Sequence, residues 1–301
     1  MATSTIERIL KLKKTRNAVI LSHNYQRGEV QDIADFVGDS LELSQKAAKT
    51  NADVIVFCGV HFMAETASIL NPSKIVLLPD ANAGCPMADM ITAEQLQKKK
   101  KELPNVTVVT YINSTAAVKA ESDYCCTSAN GVKVVGSITA KEILFVPDQY
   151  LGDFIAKKTG KQMHLWPGYC PTHVKILPED IIQRKKEHPE AKVVVHPECR
   201  PDVIALADEA LSTSGMIRYA AREDVKELIV GTEVEILHRL NKENPGKKFY
   251  PASKKAICPN MKKITLEKIL DSLEALTPEV KVPESIRVKA LIPVERMLKM
   301  V

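Results

Sequence analysis

The sequence predicts an α/β protein of three pseudo-symmetric repeats, each a small three-layer α/β domain with a parallel sheet, around a central site. The first observation is a Cys-Pro step that occurs three times, at Cys85, Cys170 and Cys258, each with an isoleucine six positions later. The second is an apolar, β-branched run that ends in polar residues, the first of them 59 or 62 residues before each cysteine. Two features that recur in the same register indicate one structural unit used three times.

The three apolar runs are predicted to be buried parallel strands, because continuous apolar segments rich in valine and isoleucine are typical of sheets covered on both faces. They span residues 18–25, 106–113 and 192–198. Each ends in two polar residues spaced two apart, so an extended backbone turns both side chains to one side. The pairs are His23 with Tyr25, Tyr111 with Asn113, and His196 with Glu198.

A hydroxyl side chain follows the first residue of each polar pair by 17 positions. These residues are Ser40, Ser128 and Thr213, and Thr213 lies within the run Ser212-Thr213-Ser214. Hydroxyls at helix N-termini can cap the helix and bind an anion there at the same time. We therefore expect Ser40, Ser128, Ser212 and Thr213 to hold anionic groups of a ligand.

Strands and helices alternate between these positions in the first repeat. Residues 30–36 and 41–50 are predicted as helices, 53–58 as a strand, 62–70 as a helix and 74–78 as a third strand. Such alternation produces a parallel sheet with right-handed crossovers. Ligands of these sheets bind beyond the carboxyl ends of the strands, which is where the polar pairs lie.

Short linkers divide the predicted domains, which cover residues 1–103, 104–188 and 189–301. Each domain then contains one Cys-Pro step. In the last domain a helix is predicted over residues 266–276, before a proline-interrupted tail that the pattern does not place.

A cysteine that precedes proline is suited to binding a metal. Proline fits the first turn of a helix, and the positive end of the helix dipole lowers the pKa of the preceding thiol. Three thiolates from distant segments match an iron–sulfur cluster in which one iron has no protein ligand and can act as a Lewis acid. A three-cysteine zinc site and buried structural cysteines are the alternatives. The remaining cysteines are predicted to lie in the core or behind the site: Cys58, Cys125, Cys126 and Cys199.

Composition and charge narrow the function classes. The 301 residues are 45% hydrophobic and 26% charged with a net charge of +5, which favours a globular protein over a nucleic-acid binder. With no run of 18 apolar residues and no secretory leader in the pattern, we expect a cytoplasmic protein without a membrane span. Seven cysteines fit a reducing compartment, and no glycine-rich motif for a dinucleotide or a nucleoside triphosphate is found.

The polar pairs supply the candidate catalytic groups. Glu198 is the only carboxylate among them and is the candidate general base, while Tyr25 and Tyr111 can donate to a leaving oxygen or polarise a carbonyl. His23 and His196 hold equivalent positions at two strand ends, which favours a role in catalysis. Two further residues follow a repeat cysteine by three positions and are predicted to line the same pocket, namely His173 and Met261.

Seven short motifs span the chain: S-H-N-Y, G-D-S, Y-I-N-S, T-S-A-N, W-P-G-Y-C-P-T-H, H-P-E-C and C-P-N-M-K. Together they resemble the quinolinate synthase family, the A proteins of de novo NAD biosynthesis, over essentially the whole chain. The resemblance implies three pseudo-symmetric α/β domains around a [4Fe–4S] cluster bound by Cys85, Cys170 and Cys258. It also implies condensation of iminoaspartate with dihydroxyacetone phosphate, with loss of phosphate and water, to give quinolinate.

The resemblance also implies roles for the polar residues. Tyr25 and Glu198 would take part in proton transfers, with His23 and Tyr111 beside them as catalytic groups. Only Cys258 is present where some family members carry C-x-x-C-x-x-C, so the chain resembles the shorter type. Substrate carboxylates and phosphate would be held by eight residues: His23, Ser40, Tyr111, Asn113, Ser128, His196, Ser212 and Thr213.

Two other functions are consistent with the residues alone. One is a zinc-dependent lyase or hydrolase, and the other is a non-catalytic sensor that binds a dicarboxylate. The family resemblance favours small-molecule substrates, no nucleic-acid or membrane partner, and a functional link to an enzyme that produces iminoaspartate.

Overall fold

Three sheets of four parallel strands form the framework of the protein, whose computed structural model describes residues 4–300. In every sheet the second strand along the chain lies at one edge, and the first, third and fourth strands follow it across the sheet. Three identical strand orders confirm the predicted α/β fold with repeated parallel sheets. Each sheet nevertheless has four strands, where three were predicted.

The first sheet carries the first polar pair at the end of its inner strand β1. Its strands are β1 (Ala18–His23), β2 (Phe36–Gly38), β3 (Val54–Cys58) and β4 (Ile75–Leu77). The helices of this segment are α1 (Thr5–Thr15), α2 (Gly28–Ile33), α3 (Ser40–Lys49) and α4 (His61–Leu70).

The predicted helix over residues 30–36 is wrong at its C-terminal end, because α2 stops at Ile33 and Phe36 already starts β2. The Asp35 carboxylate accepts a hydrogen bond from the Ile20 amide (2.8 Å), and the Asp35 amide donates to the Ile20 carbonyl (2.9 Å). These bonds hold the edge strand against β1. A strand of three residues is too short to show alternation in the sequence.

The same aspartate occurs in the other two repeats, directly before the edge strand. Asp123 accepts from the Val108 amide at 2.8 Å, and Asp208 accepts from the Val193 amide at 2.7 Å. All three aspartates lie 15 residues after the amide that they bind. They are a repeated feature that the sequence reasoning missed.

The second and third sheets follow in the same order along the chain. The strands of the second sheet are β5 (Thr107–Tyr111), β6 (Tyr124–Cys126), β7 (Ile143–Val146) and β8 (His164–Leu165). The helices of the same segment are α5 (Ala93–Glu102), α6 (Ala116–Ala120), α7 (Gly131–Ser137) and α8 (Gln149–Thr159). The strands of the third sheet are β9 (Lys192–Val195), β10 (Glu209–Ala210), β11 (Glu227–Gly231) and β12 (Lys248–Pro251). The helices of the same segment are α9 (Pro178–Glu187), α10 (Pro201–Ile204), α11 (Thr213–Ala220) and α12 (Ile236–Glu243).

The helix that follows each Cys-Pro step packs on the next sheet rather than on its own. Leu96 of α5 is buried with Val108 and Leu144 of the second sheet, and Ile181 of α9 is buried with residues of the third. The helix α13 (Leu266–Ala275) closes the ring, since it packs against α1 and β3 of the first sheet. The chain therefore crosses between sheets at the cysteines. The predicted boundaries at 103/104 and 188/189 stay predictions, and they separate α5 and α9 from the sheets on which they pack.

The tail that the sequence pattern did not place forms α14 (Glu284–Lys299), which packs against α6 and β6 of the second sheet. The Asn130 side chain donates to the Met297 carbonyl at 3.1 Å, and the Arg296 side chain donates to the Asp123 carbonyl at 2.6 Å. The predicted helix over residues 266–276 is confirmed as α13. Within residues 4–300, no helix combines the length and the apolar character that a membrane span needs.

Candidate active site

The carboxyl ends of β1, β5 and β9 face one cavity of about 150 Å³ between the three sheets. Cys85, Cys170 and Cys258 all lie in its wall. Nine of the ten predicted polar residues also line it: His23, Tyr25, Ser40, Tyr111, Asn113, Ser128, His196, Glu198 and Thr213.

Each cysteine begins a tight turn, and the three turns are alike. A single 3₁₀ turn starts three residues after the cysteine, over Ala88–Met90, His173–Lys175 and Met261–Lys263. The isoleucine that ends each turn has at most 1% of its surface exposed, so it fixes the turn to the apolar interior. These residues are Ile91, Ile176 and Ile264.

The predicted low pKa of these thiols is wrong for the protein without a bound metal. Burial raises the pKa of Cys85 to about 12 and raises those of Cys170 and Cys258 as well, while backbone amides of the turns lower them only in part. One 3₁₀ turn has few aligned peptide units, so its dipole is weaker than that of a full helix. A metal bound here must therefore displace the thiol protons, as metal binding to cysteine generally does.

The donor set fits a cluster held by three thiolates. The three sulfurs come from separate, partly buried turns around one cavity, while the other four cysteines are fully buried and do not line it. No fourth cysteine lines the cavity among the described residues, and polar side chains such as Glu198, Tyr111 and His196 share the rest of its wall with apolar ones. Ligand atoms of Cys170, His173 and Glu198 also lie within 4.8 Å of one another, so they form a second possible metal group.

His23 and His196 occupy equivalent places and share one orientation. In each case Nδ1 accepts a hydrogen bond, at 3.2 Å, from the backbone amide two residues later. Burial lowers the pKa of both rings to about 3, so they are neutral near pH 7 and carry their proton on Nε2. The Nε2–H of His196 donates to Ser128 Oγ at 3.1 Å.

Glu198 lies at the centre of the polar wall. Its Oε1 accepts from the Tyr111 hydroxyl at 2.6 Å and more weakly from the Asn113 amide at 3.4 Å, while its Oε2 lies 2.7 Å from His173 Nδ1. Burial alone would raise the pKa of Glu198, but His173, His196 and the hydrogen bonds from His173 and Tyr111 hold it below its usual range. The carboxylate is therefore ionised and bound to donors.

Both tyrosines keep their protons. Burial and the nearby charge of Glu198 raise the pKa of Tyr25 and Tyr111 well above the usual value, so each phenol is a hydrogen-bond donor. The Tyr25 hydroxyl hydrogen-bonds to Thr232, and Thr232 Oγ1 also lies 2.7 Å from His173 Nε2. Sequence reasoning missed Thr232. The one available signal was its place directly after a strand of the third repeat.

The hydroxyl residues divide into two groups. Ser40, Ser128 and Thr213 face the cavity, and Thr213 is oriented by Asn24, whose amide donates to Oγ1 at 2.8 Å. Ser212 does not line the cavity that the described residues form. It caps α11 instead, because its Oγ accepts from the Gly215 amide at 3.2 Å. Its predicted contact with substrate stays a prediction.

The sequence profile of the quinolinate synthetase A protein family matches residues 7–299. A quinolinate synthase of Dehalococcoides mccartyi strain CBDB1 is 63% identical over 294 residues, which cover 98% of this chain and 97% of that protein. The quinolinate synthase of Thermodesulfovibrio yellowstonii is 58% identical over 302 residues, which cover 100% of this chain and 100% of that protein. The quinolinate synthase of Geobacter metallireducens is 57% identical over 299 residues, which cover 99% of this chain and 98% of that protein. This agreement along nearly the whole length shows that the chain belongs to the quinolinate synthetase A protein family.

Proposed function

We propose that the protein is a cytoplasmic quinolinate synthase of de novo NAD biosynthesis. It condenses iminoaspartate with dihydroxyacetone phosphate, and phosphate and water leave as quinolinate forms. Its relatives carry the name quinolinate synthase. The observation that supports the proposal most is the cavity in which three cysteine thiols meet the buried carboxylate of Glu198, the protonated tyrosines Tyr25 and Tyr111, and the neutral histidines His23 and His196.

Cys85, Cys170 and Cys258 would hold a [4Fe–4S] cluster. When bound, the cluster supplies an iron without a protein ligand as a Lewis acid for a substrate oxygen or carboxylate. The chain itself supplies the rest of the site, since the polar wall lies in the same cavity as the three thiols.

The polar wall can bind both anionic substrates. His23 and His196 offer neutral Nε2–H donors, which suit a carboxylate without adding a positive charge that burial would oppose. Ser40, Ser128 and Thr213 offer hydroxyls for the phosphate. Asp39 caps α3, because its carboxylate accepts from the Leu41 and Glu42 amides. Those two amides are therefore already bonded, and the hydroxyl of Ser40 is the group that this helix start offers to the phosphate.

The carboxylate of Glu198 can accept a proton from substrate, and the phenols of Tyr25 and Tyr111 can donate one. Glu198 is the only ionised carboxylate of the three polar pairs and takes a proton from the substrate as general base. Tyr25 and Tyr111 are protonated and would donate to the leaving oxygens. Hydrogen bonds from Tyr111 and His173 fix the direction of the Glu198 carboxylate before substrate arrives.

Turnover by anaerobically purified protein tests the proposal. Mixing it with dihydroxyacetone phosphate and iminoaspartate, freshly generated by a separate enzyme, should release phosphate and quinolinate in equal amounts. A zinc-dependent lyase is favoured instead if the purified protein is colourless and contains one zinc per chain, a result that the Cys170, His173 and Glu198 group could produce. A dicarboxylate sensor is favoured if aspartate analogues bind but no quinolinate forms.

A further inference from the structure

Lys119 of α6 is the largest side chain that residues 4–300 bury completely. It is 0% exposed, whereas lysine is almost never fully buried unless it is paired. A buried ammonium loses its hydration, and this loss costs free energy unless a negative charge compensates for it. The charge of Lys119 therefore needs a compensating anion.

The other two repeats have an uncharged residue at this position, four residues before the aspartate that binds the strand amide. The position holds Gln31 in the first repeat, Lys119 in the second and Ile204 in the third. Gln31 Nε2 donates to the Gln26 carbonyl at 2.8 Å. Lys119 Nζ donates to the carbonyl at the same place in its own repeat, that of Ser114. A neutral amide is thus sufficient for this bond, and the fold does not require a charge here.

The described part of the protein offers Lys119 little compensation. No carboxylate of residues 4–300 forms an ion pair with it, and the Glu65 carboxylate instead accepts from the Ala116 amide at 3.0 Å. Burial lowers the pKa of Lys119, and the charge of Glu65 offsets only part of that shift. The ammonium also lies over the ring of Phe62, 5.5 Å from its centroid. Such a cation–π contact recovers only a part of the cost of burial.

Lys119 lies one side chain behind the wall of the cavity described above. Phe62, whose ring it faces, lines that cavity together with Cys85. Two cysteines are close enough for their charge to act on the ammonium, namely Cys85 in the wall and Cys125 in β6. Burial raises the pKa of Cys125 to about 12, so it stays a neutral thiol near pH 7. Of these two cysteines, Cys85 is the one that becomes an anion when it binds a metal.

We propose that Lys119 supplies the counter-charge of the bound cluster, because its ammonium compensates the net negative charge that three thiolates give to a [4Fe–4S] centre. The oxidised core carries two positive charges, so three thiolates leave one net negative charge, and one added electron makes it two. A nearby buried cation favours the more negative state and so raises the reduction potential. The inference rests on the proposed function, and it deepens that function by assigning a role to a residue outside the cavity wall.

The test compares Lys119→Gln with Lys119→Met in anaerobically purified, cluster-containing protein. Glutamine removes the charge and can keep the bond to the Ser114 carbonyl, as Gln31 does in the first repeat, whereas methionine removes both. In a one-electron titration with a chemical reductant, the ratio of reduced to oxidised cluster at a given potential should fall at least tenfold in both variants. This is a shift of about 59 mV to more negative potential.

Lys157→Gln on the exposed side of α8 is the control for net charge, and it should leave the potential unchanged. An unchanged potential in Lys119→Gln would overturn the proposal. A shift in Lys119→Met alone would also overturn it, because the hydrogen bond rather than the charge would then be responsible. An equal shift in Lys157→Gln would have the same consequence, since any lost charge would then suffice.

The full-length chain before cluster reconstitution gives a second measurement. Without the anionic cluster the buried ammonium is destabilising, so Lys119→Gln should unfold at the same urea concentration as wild type or at a higher one. Unfolding at a lower concentration would show a structural role and contradict the proposal. If wild type holds no [4Fe–4S] cluster, the proposed function fails and the counter-charge with it. A normal cluster with an unchanged potential in Lys119→Gln overturns the counter-charge alone.

Discussion

The three Cys-Pro turns are nearly identical, whereas the three polar pairs at the strand ends all differ. Every turn has cysteine, proline, one 3₁₀ turn and a buried isoleucine in the same order. The strand ends instead present histidine with tyrosine, tyrosine with asparagine, and histidine with glutamate. The repeated part of the molecule suits a symmetric group held at the centre, whereas under the proposed function the residues that differ between repeats would supply the acid, the base and the substrate contacts.

The turns should respond alike when they are altered. Serine in place of Cys85, Cys170 or Cys258 removes one of three thiolates, so each variant should lose the cluster and all quinolinate formation. Iron content and the visible spectrum of anaerobic protein measure this loss. Cys58→Ser is the matched control, because Cys58 is fully buried in β3 away from the cavity wall, and it should keep the cluster. A normal cluster in any one of the three turn variants would contradict the shared centre.

The strand ends should respond unequally, and Glu198 most strongly. Glu198→Gln keeps the size of the side chain and removes the base, so kcat should fall about 10²- to 10⁴-fold with the cluster retained. Steady-state kinetics with an iron assay on the same sample measures both quantities. Asn113→Ala removes only the weak 3.4 Å contact to Glu198 and should cost far less. Full activity in Glu198→Gln would refute the base assignment.

The repeated aspartates extend the comparison to stability. Asp35→Ala, Asp123→Ala and Asp208→Ala each leave one strand amide without its acceptor, so each should lower the free energy of unfolding by about 1 kcal/mol. Urea denaturation of the three variants measures the change. Asp271→Ala on the exposed face of α13 is the control, and it should stay within about 0.5 kcal/mol of wild type. Strongly unequal losses would show that the three edges are not equivalent.

The smallest effect concerns two neighbouring hydroxyls at the start of α11. Ser212→Ala removes a helix cap and should lower stability by about 1 kcal/mol with little change in KM for dihydroxyacetone phosphate. Thr213→Val removes a hydroxyl from the cavity wall and should instead raise that KM, with a smaller change in stability. Thermal melts and kinetics on both variants separate the two roles. A raised KM in Ser212→Ala alone would support the predicted contact of Ser212 with substrate and contradict this division of roles.

Spacing patterns in the sequence predicted the features that recur in all three repeats. The short edge strands and the packing partners of the helices depend on tertiary contacts. Alternating strands and helices, with three Cys-Pro steps in register, were sufficient for the fold class and for the expected meeting of the cysteines. The edge strands β2, β6 and β10 have two or three residues each and leave no periodicity to detect. The helix α5 packs on the second sheet because Leu96 is buried there. The spacing of apolar residues in α5 does not show which sheet buries Leu96.

Tertiary contacts also explain why the sequence did not predict the thiol pKa values or the role of Thr232 in the site. The thiol pKa values were predicted from a helix dipole, but the depth of burial decides them and is not visible in the sequence. Thr232 joins Tyr25 and His173 from positions 207 and 59 residues away along the chain, so no motif connects them. Ser212 precedes Thr213, which is the residue at the repeated hydroxyl spacing, and it caps α11; its predicted contact with substrate stays a prediction.

The most direct test of the shared centre is a metal and sulfide count with a visible spectrum on anaerobically purified, full-length protein. We expect brown protein with about four iron and four sulfide per chain and a visible spectrum that bleaches in air. Replacement of any one turn cysteine should remove the iron, the sulfide and the visible absorption together. Colourless protein with a single zinc, or a full cluster that survives the loss of Cys85, Cys170 or Cys258, would contradict it.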